Sequence, residues 1–368
     1  MRLEILEEGF VSKRSPETSR PLAVGSRTAQ TSTGEILCSY MVQSALGVND
    51  FVPVLSRSRD AGKTWEEESA IWPDLIESQS LFGSISRAPS GELFMYGIST
   101  PITEPGESFW CESTQGMKQN NLFWARSVDE GRSFTNPALI AMPLAGSAEA
   151  PGALCVTREG RWCACYAPYN NFDANVSVDR AQIVLMASDD CGMTWKHTPM
   201  LRFSEQDSGG AEAWVIQLSD GRLLGTCWHV DNSNQRVYPN AYAISSDEGR
   251  TWSATRSTEI MGQSTALCPL PNGKALFVYN RRKEHAGVWL AIVSPTVKTL
   301  GVELNEAAWL CQTATQRDTS GELGEWTDFA FGEPSVMVLS DGTLFLTFWS
   351  IQPSGQGIRY LKVKIMRG

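Results

Sequence analysis

The sequence predicts an all-β fold, a six-bladed β-propeller that occupies residues 1–368 as a single domain. Three observations predict it. An octet of the form S-x-D-x-G-x-T-W recurs, a second unit of strand, tight turn and strand recurs, and the chain is 368 residues long. Six four-stranded blades of about 60 residues account for that length. Because the repeats spread over nearly the whole chain, they favour one closed domain over two or three separate ones.

The octet is a tight turn with a small core of its own. Its copies lie at 58–65, 127–134, 188–195 and 245–252, and the second copy ends in Phe instead of Trp. The Asp accepts hydrogen bonds from backbone N–H groups a few residues on, and the Gly supplies a positive φ. The aromatic ring folds back over the corner of a hairpin and is buried there. We therefore expect the octets to be structural and to lie on one outer rim.

The second repeat supplies one strand–turn–strand unit for each of six blades. The segments 212–224 and 333–345 share the pattern E-x-x-V-x-x-L-S-D-G-x-L throughout. Weaker copies occur at 27–37, 84–94, 149–165 and 264–276. Asp-Gly and Asn-Gly between apolar runs are typical of hairpin turns.

The blades follow one another along the chain. We predict them at 25–65, 80–134, 146–195, 210–252, 263 to about 301, and 333–349 with 358–365. The first 13 residues look like an isolated strand anchored by Ile5 and Phe10, and we expect this strand to complete the last blade. Two polar insertions, 100–119 and 167–179, lie between middle strands, on the face where propellers bind ligands.

Charge and composition exclude several classes of function. The formal net charge of −10 disfavours nucleic acid and anionic membrane surfaces as partners. No run of about 18 apolar residues is present, and the first residues lack the form of a secretory signal, so we expect a cytoplasmic protein. The three histidines are isolated and no His/Cys cluster has zinc spacing, so we expect neither a metal site nor a cofactor.

Glutamates at the starts of inner strands are the main candidates for chemistry. The first strand of each propeller blade lines the central channel, and Glu212 and Glu333 start equivalent strands of blades 4 and 6. Glu149 begins the corresponding strand of blade 3, slightly out of register. Each Glu alone could be a solvated channel residue. Several acids at one mouth favour glycosyl cleavage, which needs two carboxyl-type groups across one bond.

The octet resembles the Asp-box, and four copies together with the second repeat resemble the sialidase superfamily, of which this chain looks like a divergent member. The resemblance implies a six-bladed propeller with an Arg opening blade 1, an Asp on a following loop, and a Glu on blade 4 that supports a Tyr nucleophile on the last blade. Glu212 matches the supporting Glu, Arg27 the first Arg, and Asp50 the acid.

The chain departs from the sialidase pattern at the remaining positions. Glu333 replaces the Tyr nucleophile, Trp228-His229 stands where a second Arg would follow, and Gly287-Val288 stands where a third is often found. Each bidentate Arg–carboxylate contact contributes roughly 1.5–3 kcal/mol, so a site without two of three arginines would hold a sialic-acid carboxylate poorly. Arg281, Arg282 or Arg359 could substitute from other blades.

Further candidates come from side-chain chemistry alone. His229 follows a buried strand and could act as an acid/base, grip a hydroxyl, or be an ordinary loop residue. Trp214 and Trp228 could stack on a sugar ring, or belong to the blade core. Tyr279, which precedes Arg281 at the end of a strand of blade 5, completes the residues that we expect to contact a substrate.

We therefore expect a glycoside hydrolase of sialidase-like fold that removes a terminal acidic or uncommon sugar from a small-molecule or oligosaccharide substrate. One alternative is a polysaccharide lyase or another sugar-active enzyme on the same scaffold, which would use a His or Tyr base beside an Arg-bound uronate. The other is a non-catalytic propeller that binds carbohydrate or protein. Fold alone does not choose among them.

Overall fold

The structure is a computed structural model that describes residues 1–205, 207–233, 236–315 and 323–366. Six sheets of antiparallel strands surround a channel, and the inner strands of neighbouring blades contact one another around a closed ring. The chain is therefore the six-bladed β-propeller that the repeats predict.

Each blade runs outward from the channel in chain order. Blade 1 consists of Leu22–Gln30, Ile36–Gln43, Val52–Ser58 and Glu66–Ala70, and blade 2 of Gln79–Arg87, Leu93–Pro101, Asn121–Ser127 and Ala138–Ile140. Blade 3 has a divided inner strand, Ser147–Glu149 and Cys155–Val156, followed by Trp162–Tyr169, Gln182–Ser188 and Lys196–Arg202. Blade 4 consists of Ser208–Gln217, Leu223–Asp231, Ala241–Ser245 and Arg256–Ser257, and blade 5 of Thr265–Pro269, Ala275–Arg281, Gly287–Val293 and Val302–Leu310.

The last blade combines both ends of the chain. Its inner strands are Phe331–Val338, Leu344–Gln352 and Gly355–Met366, and the first strand of the chain, Arg2–Arg14, pairs antiparallel with the third of them. Glu7 reinforces this pairing, because its carboxylate accepts hydrogen bonds of 2.7 Å from both the Tyr360 hydroxyl and Lys362 Nζ. The N-terminal strand thus covers what would otherwise be an open sheet edge.

Short elements outside the blades lie on the connections. A small hairpin, Trp110–Cys111 with Gly116–Met117, forms within the first polar insertion. Two 3₁₀-helices, Pro73–Leu75 and Leu323–Asp328, precede the inner strands of blades 2 and 6. Among the described residues, no helix has both the length and the apolar character needed to cross a membrane.

The octets join neighbouring blades. Each follows the third strand of blades 1 to 4, and in the copy at 245–252 the Asp247 carboxylate accepts hydrogen bonds from the N–H of Thr251 at 2.8 Å and from its hydroxyl at 2.6 Å. The glycine of each copy packs against the preceding blade so closely that an added Cβ would come within 2.5–2.7 Å of one of its side chains. The octets are therefore connectors between blades and lie away from the channel mouth.

Candidate active site

A β-bulge at the same place in three inner strands determines which side chains enter the channel. In blades 4 and 6 the bulged residues Glu212 and Glu333 have φ values of +50° and +48°, and in blade 1 the equivalent residue is Gly25, with φ +66°. Glutamate rarely adopts this left-handed conformation, and such strain clusters at functional sites. The bulge therefore aims two glutamates, but no side chain from blade 1, into the channel mouth.

Glu149 reaches the same place by a different route. It ends the first part of the divided inner strand of blade 3, just before Pro151, which cannot donate to a ladder and so helps to end the pairing. Its Oε2 accepts a hydrogen bond of 2.7 Å from the backbone N–H of Glu212. The two residues are thereby fixed next to each other across the boundary between blades 3 and 4.

Glu149, Glu212 and Glu333 line one cavity of about 150 Å³ at the channel mouth. Most of its remaining wall is apolar and aromatic. Trp228 and Trp349 occupy equivalent positions on the second strands of blades 4 and 6. Aromatic residues from other strands and from connections complete the wall, among them Tyr169, Phe51, Phe82, Phe109, Trp110, Trp326 and Phe329. The Trp110 and Trp326 rings meet edge to face at 6.3 Å, so the insertion of blade 2 contacts the loop before blade 6.

Two buried arginines, Arg27 and Arg282, interact with the acids. Arg282, which lines the cavity, donates from Nη2 to the Phe331 carbonyl at 2.8 Å and from Nη1 to Gln263 Oε1 at 3.1 Å. Gly332 makes this approach possible, because a Cβ there would lie 2.4 Å from Arg282 Nη2. Arg27 lies deeper and donates to the carbonyls of Ser26, Pro151 and Glu333. Main-chain oxygens thus accept three hydrogen bonds from Arg27, and Arg282 donates one from each Nη atom while its buried Nε has no partner among the described residues.

Burial and mutual repulsion disturb the titration of the three acids. Desolvation, and next the charge of Glu333, raise the pKa of Glu212 to about 7. Desolvation and the charge of Glu212 raise the pKa of Glu149 well above its usual value. Desolvation also raises the pKa of Glu333, opposed by Arg27 and Arg282. Burial lowers the pKa of Arg282 to about 10, so it remains a cation at neutral pH.

These influences leave Glu149 as the acid that holds its proton most firmly. Two carboxylates suffice to balance two guanidinium groups, and both arginines favour the charged form of Glu333 before any other group does. Among the main influences on Glu149, one arginine, Arg27, favours its charged form, and it ranks below desolvation and the charges of Glu212 and Glu333. A protonated acid therefore lies beside carboxylates in a largely apolar cavity, as acid–base chemistry requires.

Four of the predicted site residues line this cavity: Glu149, Glu212, Glu333 and Trp228. Arg27 and Trp214 were expected beside them, but they lie two residues beyond the bulge and line a second cavity at the opposite end of the channel. The guanidinium of Arg27 stacks on the ring of Trp214 at 5.1 Å. Both side chains therefore lie in the interior of the channel, away from the mouth, and their contact with a substrate stays a prediction.

Three other predicted residues also do not line the cavity. The Asp50 carboxylate accepts from the backbone N–H of Ser44 within its own loop. Tyr279 is buried within blade 5, and its hydroxyl donates to Asn305 at 2.8 Å. Arg359 holds the N-terminal strand, stacking on the Phe10 ring at 4.5 Å. These contacts use each side chain for packing or turn formation.

His229 and Arg281 lie beside the cavity and line a neighbouring groove. The His229 ring is stacked between Phe203 and Tyr238, with centroid distances of 4.4 and 4.2 Å, and burial lowers its pKa. Arg281 stacks on Trp289 and lies 3.8 Å from the Glu284 carboxylate. Neither residue touches the three acids.

Sequence reasoning did not select Trp349 and Tyr169, and it named Arg282 only as one of three possible substitutes. For Trp349 a signal was present, because it follows Glu333 by 16 residues just as Trp228 follows Glu212. Arg282 directly follows Arg281 in the sequence, and because side chains alternate along a strand, such neighbours point to opposite sides. Within the described ranges no group of three His, Cys, Asp or Glu side chains could hold a metal ion.

Comparison with known proteins identifies the fold. The chain is 23% identical over 340 residues to a curated sialidase of Bacteroides fragilis, a match that covers 80% of this chain and 58% of that protein. Two solved structures are similar over nearly their full lengths. A protein of unknown function from Dyadobacter fermentans has a TM-score of 0.76 at 17% identity, and both chains are 99% covered. An α-L-arabinanase of Penicillium chrysogenum complexed with arabinobiose has a TM-score of 0.64 at 16% identity, with 98% of both chains covered.

The expected family is also found. The chain spans only 58% of the length of the sialidase that it matches, and at these identities the solved structures show the fold alone. Residues 85–346, more than half of the chain, match the family described as BNR repeat-like domain. This chain therefore belongs to the BNR repeat-like family, within the sialidase superfamily that its Asp-boxes predict.

Proposed function

We propose that the protein is a glycoside hydrolase that removes one terminal sugar residue, and that this sugar carries no carboxylate group. The observation that carries this proposal is the row of Glu149, Glu212 and Glu333 in one cavity. Hydrolysis of a glycosidic bond needs a protonated carboxyl group on the leaving oxygen and a carboxylate that acts as nucleophile or base. An environment that separates the pKa values of neighbouring acids supplies both forms at one pH.

Glu149 is the proton donor in this proposal, because it keeps its proton at the highest pH. Glu212 supplies the carboxylate, since it lies next to Glu149 and ionises near pH 7. Glu333, whose charged form both arginines favour, maintains the negative potential at this end of the cavity. The pairing of Glu212 with Glu333, which the sequence suggests, stays a prediction that the same variants test.

A neutral sugar fits the cavity better than an acidic one. A cavity of about 150 Å³ holds on the order of ten water molecules, comparable with one monosaccharide. Arg282 is the one arginine in the described cavity wall, and both of its Nη atoms already donate to the protein. A substrate carboxylate would meet three acids and a single arginine, both of whose Nη atoms already donate to the protein. The similarly folded arabinanase, complexed with arabinobiose, adds a pentose to the candidate sugars.

The other two functions have less support. A lyase would need a His or Tyr base beside an arginine that binds a uronate, but His229 is stacked between two aromatic rings outside the cavity. Tyr169 lines the cavity, but burial raises the pKa of its hydroxyl well above the ordinary value, which disfavours it as a base. A purely binding propeller would present an aromatic mouth without interacting titratable groups, but three such groups line this one.

Aryl glycosides with good and poor leaving groups test the proposal. The panel contains neutral pyranosides, α-L-arabinofuranoside and N-acetylneuraminate, each as the 2,4-dinitrophenyl or the 4-methylumbelliferyl derivative where it can be made. Glu212→Gln should lose at least about 100-fold in kcat/KM on every substrate that the wild type cleaves. Glu149→Gln should lose comparably on poor leaving groups but little on 2,4-dinitrophenyl glycosides, because these leave without a proton.

Glu66→Gln is the matched control, since this glutamate is exposed on the outer strand of blade 1. It should cleave every substrate at the wild-type rate. Cleavage of the sialoside and of no neutral glycoside would overturn the neutral-sugar assignment. Absence of hydrolysis across the panel would remove the enzymatic proposal and favour a binding function.

A further inference from the structure

A groove between blades 4 and 5 opens beside the cavity. Its walls come from residues 228–231, 236–238, 261–263 and 281–284, and its volume is about 330 Å³, roughly twice that of the cavity. Trp228 and Arg282 line both spaces. A molecule whose terminal ring occupies the cavity would therefore extend past these two side chains into the groove, which we name the blade 4–5 groove.

The charge of the groove is opposite to that of the chain. Arg236, Arg281, Arg282 and Lys283 line it against only two acids among the described residues, whereas the whole chain carries a net charge of −10. Arg236 has a side chain that is half exposed, while the Asp231 side chain is fully buried. Arg236 and Lys283 thus lie where a ligand can reach them, Arg281 is partly exposed, and Arg282 is buried.

The two acids of the groove each lie within 4 Å of one of its four cations, Asp231 Oδ2 being 3.9 Å from Arg236 Nε, and so leave a net positive charge. Asp231 accepts hydrogen bonds from the backbone N–H groups of Ser233 and Arg236, at 3.1 and 2.7 Å, and so stabilises its own loop. Glu284 is 87% exposed and lies 3.8 Å from Arg281. Exposed ion pairs of this kind are weak and exchange readily with other anions.

The groove also has an apolar surface, which stacked rings and exposed apolar side chains form. Tyr238 and His229 line the groove and stack with an angle of 11° between their rings, and His229 in turn stacks on the buried Phe203. Val237 and Met261, which also line the groove, are 56% and 45% exposed. Apolar side chains beside convergent cations form a site for a ligand with both ring faces and anionic groups.

We infer that the blade 4–5 groove binds the part of the substrate that hydrolysis releases, and that this part is an acidic saccharide carrying uronate carboxylates. This inference rests on the proposed function. The cavity then selects a neutral terminal ring, because three acids line the cavity. The groove selects the saccharide to which that ring is attached, because arginines and a lysine line the groove. Specificity is thus divided between two adjoining sites of opposite charge.

Binding of two tetrasaccharides to the intact protein tests the inference. The probes are tetragalacturonate and the neutral maltotetraose, compared by isothermal titration calorimetry at low ionic strength. Tetragalacturonate should bind at least about fivefold more tightly, and the preference should shrink as salt is added. The double variant Arg236→Gln/Arg281→Gln should bind tetragalacturonate about fivefold more weakly, in line with the loss of two partly exposed charge pairs.

The double variant Arg59→Gln/Lys196→Gln controls for net charge. It removes two positive charges from exposed positions on blades 1 and 3, where the side chains are 59% and 80% exposed. It should bind tetragalacturonate as the wild type does. Equal affinity for the two tetrasaccharides, or equal weakening in both double variants, would overturn the inference.

The two proposals fail in different experiments. If neutral aryl glycosides are cleaved but tetragalacturonate has no preference for the groove, the proposed function stands and the subsite is wrong. If no glycoside is cleaved but selective binding of tetragalacturonate requires Arg236 and Arg281, the groove stands as a saccharide site and the hydrolase proposal fails.

Discussion

Glu149 and Glu212 are joined by a hydrogen bond of 2.7 Å between the carboxylate of the first and the backbone N–H of the second, although they belong to different blades. This contact fixes the left-handed backbone at Glu212 and places two acids at the same point of the cavity. Each carboxylate then raises the cost of ionising the other. The geometry that would make the pair reactive therefore also destabilises the fold when both are charged.

The first prediction follows from that cost. Folding raises the pKa of Glu212 from 4.5 to about 7, so the folded state prefers the neutral acid, and stability falls as pH rises through this window. Glu212→Gln cannot ionise and should escape the loss. Its Tm should equal that of the wild type at pH 4 and exceed it at pH 8, as measured by thermal melts across that range. A difference in Tm that is the same at every pH would contradict the assignment, and Glu66→Gln should show none.

The second prediction separates the Asp-boxes from the site. Asp247 accepts two hydrogen bonds from Thr251 and one from the Ser245 hydroxyl, all within one turn. Asp247→Ala removes these bonds and should lower the Tm by a few degrees, whereas Ser246→Ala at the exposed neighbouring position should not. The kcat/KM of both variants should match the wild type at 25 °C. A loss of activity in folded Asp247→Ala protein would give this turn a role that its position does not suggest.

The fold was predictable because its signals are local. Each Asp-box encodes its own hydrogen bonds within eight residues, and each D-G or N-G turn encodes its own hairpin, so their recurrence determines the number of blades. The equivalence of Glu212 and Glu333 was predictable for the same reason, since a shared spacing places them at the same bulge.

The arginines could not be assigned from the sequence because a bulge shifts the alternation of side chains along a strand. Gly25 takes the bulged place that glutamates take in blades 4 and 6, and Arg27 consequently shares its register with Trp214 instead of Glu212. Arg282 reaches the cavity only because Gly332, from another blade, leaves room for it. Such contacts between blades depend on the closed ring and leave no local pattern.

The third prediction concerns the N-terminal strand. Residues 2–14 pair with Gly355–Met366, and Phe10 packs under the Arg359 guanidinium. Deleting residues 1–13 should expose an unpaired edge and reduce the yield of soluble protein. Phe10→Ala, which keeps the strand, should lower the Tm without loss of solubility. A soluble truncated protein with the wild-type Tm would show that this pairing contributes nothing to the stability of the last blade.

The last prediction concerns the pH dependence of catalysis. Glu212 must be ionised to act as nucleophile or base, and its pKa of about 7 means that kcat/KM should fall as pH decreases through neutrality. The charge of Glu333 helps to raise this pKa, and the charge of Arg282 helps to lower it. Glu333→Gln should therefore shift the acid limb of the profile to lower pH, and Arg282→Gln should shift it to higher pH. Profiles of kcat/KM from pH 4 to 9 for the three proteins measure both shifts, whose opposite directions a general loss of stability would not produce. If Glu333 were itself the reacting carboxylate, Glu333→Gln would instead lower kcat/KM about 100-fold at every pH. If kcat/KM rose as pH fell through 7, Glu212 would be the proton donor.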